Sequence, residues 1–171
     1  MSSGKLLLSL LALLVAGAAM ADFEEDEAAR SWQESEVQYP APPSSEALLP
    51  FSPGAATDNR FFVDGASLSV GSDGVVRYTL LVLSPEGGRN VTYEGMRCET
   101  KERRIYATGR ADGSWSKSRV KQWARVRDAV GNRQYAALFL EYFCPMGVIV
   151  RSADEARDAL KRGGHKDIFS R

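Results

Sequence analysis

The sequence predicts an α+β domain: an antiparallel sheet of about five or six strands, a C-terminal helix packed on one face, and a single disulfide, Cys98–Cys144. Three observations carry this. Within 75–83, Val76, Tyr78, Leu80 and Val82 alternate to give an all-apolar strand face. Tyr135, Leu138, Phe139 and Tyr142 fall at i, i+3, i+4 and i+7, which is one face of a helix. Finally, the chain has 2 cysteines, one ending a candidate strand and the other ending that helical pattern beside Pro145.

The first 21 residues read as a signal peptide. Lys5 opens it, residues 6–15 are apolar, and Ala19-Met20-Ala21 supplies a small-residue cleavage signal. The apolar run is too short to span a bilayer comfortably. No cysteine follows the expected cut, so lipid attachment there is not indicated. Export follows, and with it an oxidising compartment in which two cysteines pair by default.

Residues 22–58 form an acidic, proline-rich N-terminal arm, with nine acids against one base. The stretch 22–31 has no apolar period and is expected to be disordered. Prolines 40, 42, 43, 50 and 53 exclude a long helix. Trp32, Tyr39, Leu48, Leu49 and Phe51 are too apolar for a plain linker. The pattern therefore suggests an extended arm laid across the body, with residues 48–51 pairing at a sheet edge, where proline is tolerated. The body, 59–171, is a single α+β domain with twenty bases against thirteen acids. Either the arm docks on this basic body or it is a soluble tether; both readings stay open.

Within the body, Phe61-Phe62-Val63 and 67–70 are two short candidate strands separated by an Asp64-Gly65 turn. Asp73-Gly74 is a hairpin signal leading into 75–83. Residues 85–88 turn the chain into 90–100, where Thr92, Glu94, Met96, Cys98 and Thr100 share a phase. Glu102-Arg103 is expected to turn again into a strand over 105–108, ended by Asp112-Gly113. Residues 114–131 fit either a helical stripe or extended structure; extended structure with Trp115 and Trp123 packed inward is the preferred reading. Asn132 is an N-cap candidate for a helix over 133–144, which Pro145 stops. Ser152 with Glu155 makes a capping box for a second helix, closed by Gly163-Gly164.

No catalytic or metal constellation emerges. His165, the only histidine, lies past a helix end, which is a poor place to hold a catalytic base against a nucleophile. Zinc lacks a ligand set and calcium lacks clustered carboxylates, so neither metal nor cofactor is expected. The S-x-x-K spacings at Ser114/Lys117 and Ser118/Lys121 lack a K-T-G partner. Asn90-Val91-Thr92 matches a glycosylation sequon without the context that would give it meaning.

The most substantial polar feature is basic. From Arg97 to Arg127 ten bases meet three acids, with aromatics interleaved. Arg97, Lys101, Arg103, Arg104, Tyr106, Trp115, Lys117, Lys121 and Trp123 are the candidate binding surface for an anionic envelope component or another envelope protein. Nucleic acid is the least suited partner of an exported chain. The alternative is a solvated face with charges guarding a sheet edge.

The stretches RFFVDGASLSVGSDGVVRYTLLVLS (60–84), NVTYEGMRCETKERRIYATGRADGSW (90–115) and NRQYAALFLEYFCP (132–145) resemble the cryptic neisserial protein 1-like family. Trp32-Gln33-Glu34, Trp123 and 152–162 extend the likeness over roughly 32–162. YEGMRC paired with YFCP is its most specific element. The resemblance implies export and paired cysteines, and supplies no mechanism. A more distant likeness is to the surface-adhesin protein E group, which implies an antiparallel sheet covered by a helix, and adhesion.

Three functional classes follow. The leading one is a non-enzymatic binding module of the cell envelope, periplasmic, outer-membrane associated or secreted, using the basic surface. A small periplasmic hydrolase acting through carboxylates or serine would need convergent titratable groups in a pocket. A structural partner would show a large exposed apolar patch.

Overall fold

β3 (Val75–Leu83) is the centre of the sheet: its first seven residues are all buried, so both faces of this strand are covered. The computed structural model describes residues 32–54 and 57–165. The expected signal peptide and residues 22–31 lie outside the described residues. From Ser35 onward the chain forms one compact unit.

β1 (Leu48–Phe51), β2 (Arg60–Val70), β3, β4 (Arg89–Arg97), β5 (Glu102–Gly109) and β6 (Trp115–Lys117) lie side by side in chain order. Every neighbouring pair is antiparallel, and β7 (Ala124–Arg125) also pairs with β5. This is the expected meander, with strand 48–51 at the expected edge. Its Pro50 is exposed there.

Two expected turns fall elsewhere. Asp64-Gly65 does not separate two strands but sits in a bulge inside β2, where the register against β3 shifts between Asp64 and Ser69. The Asp64 carboxylate accepts from the Ala66 N–H, and its carbonyl accepts from the Ser67 hydroxyl. Ser67 Oγ in turn accepts from the Thr79 N–H of β3. The side chains thus supply bonds that the bulge removes from the ladder, and the strand kinks without leaving the sheet. Glu102 and Arg103 are likewise strand residues. The turn before them is 98–101, closed by Lys101 N–H to Cys98 O, with Lys101 at φ 54°.

One face of the sheet carries the main core. Val76, Tyr78 and Leu80 of β3, Phe61 and Val63 of β2, Met96 of β4 and Phe51 of β1 pack beneath a helical layer. That layer begins with α1 (Arg133–Ala137) and continues without a break into a π-helical segment, Leu138–Phe143. The expected single α-helix therefore changes its winding midway. Cys144 N–H bonds to Phe139 O, five residues back. The wider turn lets the adjacent pairs Leu138-Phe139 and Tyr142-Phe143 all face inward and be buried. Phe143 lies 4.9 Å from the Tyr78 ring, and Tyr142 meets Phe51 edge-on at 5.8 Å. The aromatic stripe thus meets the β3 face as the sequence suggests.

Cys144 follows at once, and its Cα stands 5.4 Å from that of Cys98, with the disulfide formed. Asn132 occupies the N-cap position of α1 without a side-chain capping bond. A carbonyl near that end, Gly131 O, instead accepts from the Gln134 side chain. α2 (Ala153–Arg162) is capped as expected by Ser152, whose Oγ accepts from Glu155 N–H. Glu155 itself reaches one residue further back, to Arg151 N–H. Gly163, at φ 76°, closes α2 with Gly164 N–H bonded to Ala159 O. Arg157 ties the helix to the β2 bulge through Gly65 O, 2.7 Å away.

The opposite sheet face holds a smaller aromatic layer: Tyr93 of β4, Tyr106 of β5, Trp115 of β6 and Trp123, linked ring to ring at 5.5–6.5 Å. Trp115 and Trp123 are half-buried on this face, away from the helices. Tyr106 lies across Gly95 of the neighbouring strand. A Cβ on Gly95 would stand 2.1 Å from the Tyr106 hydroxyl oxygen, so only glycine fits in YEGMRC.

Candidate functional site

Strand alternation decides the fate of the basic residues. Neighbours in a strand point to opposite faces, so Arg103 and Arg104 part company. The Arg103 guanidinium lies 3.6 Å from the Tyr135 ring centre on the helix side, whereas Arg104 lies over Tyr106 on the other, at 5.3 Å. Lys101 sits above Phe139 at 5.6 Å, and Lys117 over Tyr39 at 5.4 Å. Arg97 and Tyr106 are buried; Arg97 pairs with Glu99 at 3.2 Å. The candidate residues therefore divide between both faces and the interior.

Lys101 is exposed in the turn before β5, and the longer outward run is the edge beyond β5. β6 and β7 are the two ends of one run along that strand: Lys117 stands opposite Ala107, and Arg125 opposite Glu102. Between them residues 118–123 leave the ladder, held by Ser118 N–H to Tyr106 O at one end and Val126 N–H to Lys101 O at the other. Lys117, Arg119, Lys121, Arg125 and Arg127 are all exposed, and no acid lies within 117–127. Val120 is 63 % exposed among them, while Trp123 leans edge-on against Tyr106.

A second polar cluster lies inside. Glu94 of β4 is fully buried on the helix face, next to a bulge: Tyr93 pairs with Ala107 but Glu94 with Ile105, leaving Tyr106 as the extra residue. Thr92 Oγ1 donates to Glu94 Oε1 at 2.6 Å, and the Tyr78 hydroxyl donates to Oε2 at 3.1 Å. The Tyr135 hydroxyl also hydrogen-bonds the carboxyl, and Arg103 Nη1 stands 3.9 Å away. Burial pushes the Glu94 carboxyl above its ordinary value, opposed by Thr92, Arg103 and the two tyrosines. Burial and the Glu94 charge push the Tyr135 hydroxyl up to about 12, and that of Tyr78 also well up. Such a carboxyl is held as a structural tie between β3, β4, β5 and α1.

In the sequence Glu94 shares its phase with Met96 and Cys98 and carries no motif of its own. That phase was the available signal, because a face carrying a buried disulfide cysteine buries its neighbours two residues away.

Thr92 and Tyr135 also edge a recess of about 420 Å³, whose other walls include Asn59, Leu80, Asn90 and Gln134. Its lining holds no carboxylate and no serine. His165 is half-buried, with its Nε2 3.0 Å from Tyr142 O. Among the described residues no group of three or more His, Cys, Asp or Glu side chains could hold a metal ion, and no helix is long and apolar enough to cross a membrane.

Fold and disulfide together define a helix-covered antiparallel meander, stapled where the π-helical segment ends. The chain belongs to the CNP1-like family, whose model matches residues 27–161. Comparison with curated proteins and with solved structures returned no match.

Proposed function

We propose that this chain is an exported, non-enzymatic binding module of the cell envelope, and that it engages an anionic envelope component through residues 117–127. The carrying observation is the acid-free row of five exposed bases on an edge run that leaves the ladder between β6 and β7. Charges of one sign on an exposed edge raise the local concentration of anionic ligands and speed encounter. The disulfide is in keeping with an oxidising compartment. For a hydrolase acting through carboxylates or serine, the recess of about 420 Å³ beside Tyr135 offers neither, and the shallower one of about 570 Å³ between Phe51 and Tyr142 offers one of each, Ser52 and Glu141.

The test is charge reversal. Lys117, Arg119, Lys121 and Arg125 are changed to Glu, and retention on envelope fractions and on anionic polymers is measured at low and high salt. Retention should fall in the variant, and in the parent should weaken as salt rises. Equal, salt-insensitive retention of both proteins would refute the proposal.

A further inference from the structure

The second sheet face is covered by a strap from the N-terminal side, and the way it is held points to a recognition groove. Tyr39-Pro40-Ala41-Pro42-Pro43 has three prolines in five residues. Each proline fixes its own φ and bars the preceding residue from the helical region, so the stretch is restricted to extended, polyproline-like backbone. Ser44, just after it, is extended at φ −94° and ψ 149°.

The contacts are those of a bound peptide. The Trp115 indole N–H donates to Pro40 O at 2.8 Å. Tyr39 packs on Tyr93 at 6.0 Å, with the Lys117 ammonium over its ring. Pro42 approaches Gly113 so closely that a Cβ there would lie 3.0 Å from Pro42 Cγ. Among the described residues no backbone–backbone hydrogen bond ties 36–43 to the sheet. None of 36–43 is fully buried, and Tyr39 is 37 % exposed. An indole donor and aromatic walls are a general means of reading proline-rich extended chains.

The strap also fails to fill its groove. A recess of about 150 Å³ remains beside Pro42 and Pro43, walled by Val91, Gly109 and Trp115. A second copy of this chain would bring the same prolines and leave the same void. A partner segment with a bulkier apolar residue at that point would fill it.

We propose that the groove between β4, β5 and β6 is a docking site for a partner's extended proline-rich segment of the Tyr-Pro-x-Pro-Φ type, in which Φ is an apolar residue bulkier than proline. Residues 39–43 occupy it in cis and must be displaced for docking.

The test titrates synthetic peptides into the full chain while the Trp115 indole N–H resonance is followed, assigned with Trp115→Phe. One peptide carries residues 36–45, a second the same segment with Pro43→Leu, and a third has every proline changed to alanine. The parent is compared with a Tyr39→Ala/Pro42→Ala variant, which loosens the strap and leaves the groove intact. A tethered strap competes at an effective concentration on the order of millimolar, so the loosened chain should saturate at about tenfold less peptide than the parent. The Pro43→Leu peptide should bind more tightly than the native segment, and the alanine peptide should not bind.

Absence of a saturable shift in both proteins, equal binding of the alanine peptide, or no difference between parent and variant would overturn the proposal. A strap-exchanged dimer of the parent, seen by light scattering, would overturn it in favour of a second copy as occupant. Should the variant fail to fold, the parent decides alone. Excess native peptide must then move the Tyr39 ring resonances to their free-chain positions, and unmoved resonances count against docking.

Discussion

Replacing both Cys98 and Cys144 with alanine tests whether the disulfide makes this fold or only secures it. The bond links positions 46 apart in sequence. Releasing a loop of that size returns conformational entropy to the unfolded chain equal to roughly 4 kcal/mol, an upper figure because unfolded chains retain structure. Against it stands the core on the same face. Val63, Val76, Met96, Leu138 and Phe143 are each 0 % exposed, and burial of such side chains is worth about 1.5–3 kcal/mol apiece. The gross apolar contribution of these five alone exceeds that of the bond about two- to fourfold by the same estimate. The double variant should therefore remain folded at 25 °C, with its unfolding free energy lowered by about 2–4 kcal/mol. Urea unfolding followed by tryptophan fluorescence and far-UV dichroism measures both quantities. A larger m-value is expected in the variant, because its unfolded state is no longer cross-linked. A chain that is unfolded without denaturant, or one that loses less than about 1 kcal/mol, would refute the reasoning.

Two other perturbations probe the interior. Burial holds the Glu94 carboxyl above its ordinary 4.5, so the folded chain binds this proton more tightly than the unfolded chain does. That contribution is fully present below about 4.5 and is lost as pH rises through the folded-state value. Glu94→Gln removes this slope, so the stability difference between parent and variant should move in the variant's favour from about pH 4 to pH 8. Urea midpoints across that range check it, and an unchanged or opposite trend would contradict it. Gly95→Ala sets a Cβ 2.1 Å from the Tyr106 hydroxyl oxygen and 2.7 Å from its ring carbon. The loss should be about 1–3 kcal/mol. In a Tyr106→Ala background most of that loss should vanish, a coupling that a double-mutant cycle reads directly.

The parts legible in the sequence are those where one physical rule acts alone. The alternation of Val76, Tyr78, Leu80 and Val82 gave the central strand because a sheet face under a helix must be apolar. Asp73-Gly74 gave the hairpin because its φ of 74° at Gly74 suits glycine. The pairing of Cys98 with Cys144 followed from there being two cysteines and an expected oxidising compartment. Elsewhere two rules competed. Asp64-Gly65 has turn chemistry, yet Phe61 and Leu68 on either side are both core residues, and burial kept the strand in the sheet as a bulge. Tyr135 to Tyr142 matches an α-helical stripe equally well with or without a π segment, so the change of winding leaves no mark in that spacing.

The basic cluster shows the limit most plainly. Charge composition over 97–127 is visible in sequence, but whether a given base reaches solvent depends on strand phase and on which aromatic lies beneath it. Arg97 is buried beside Glu99, Arg103 lies on Tyr135, and Lys121 is exposed. Only with the register of β4 against β5 known does the edge run 117–127 separate from the rest.

Amide hydrogen exchange on the full chain, with and without an anionic envelope polymer, tests the proposed binding role most directly. Added polymer should slow exchange within 117–127 and leave the core strands β2 to β4 unchanged, and the protection should disappear at high salt. Protection that falls elsewhere on the molecule, or none at polymer concentrations that retain the protein, would contradict a basic edge as the contact surface.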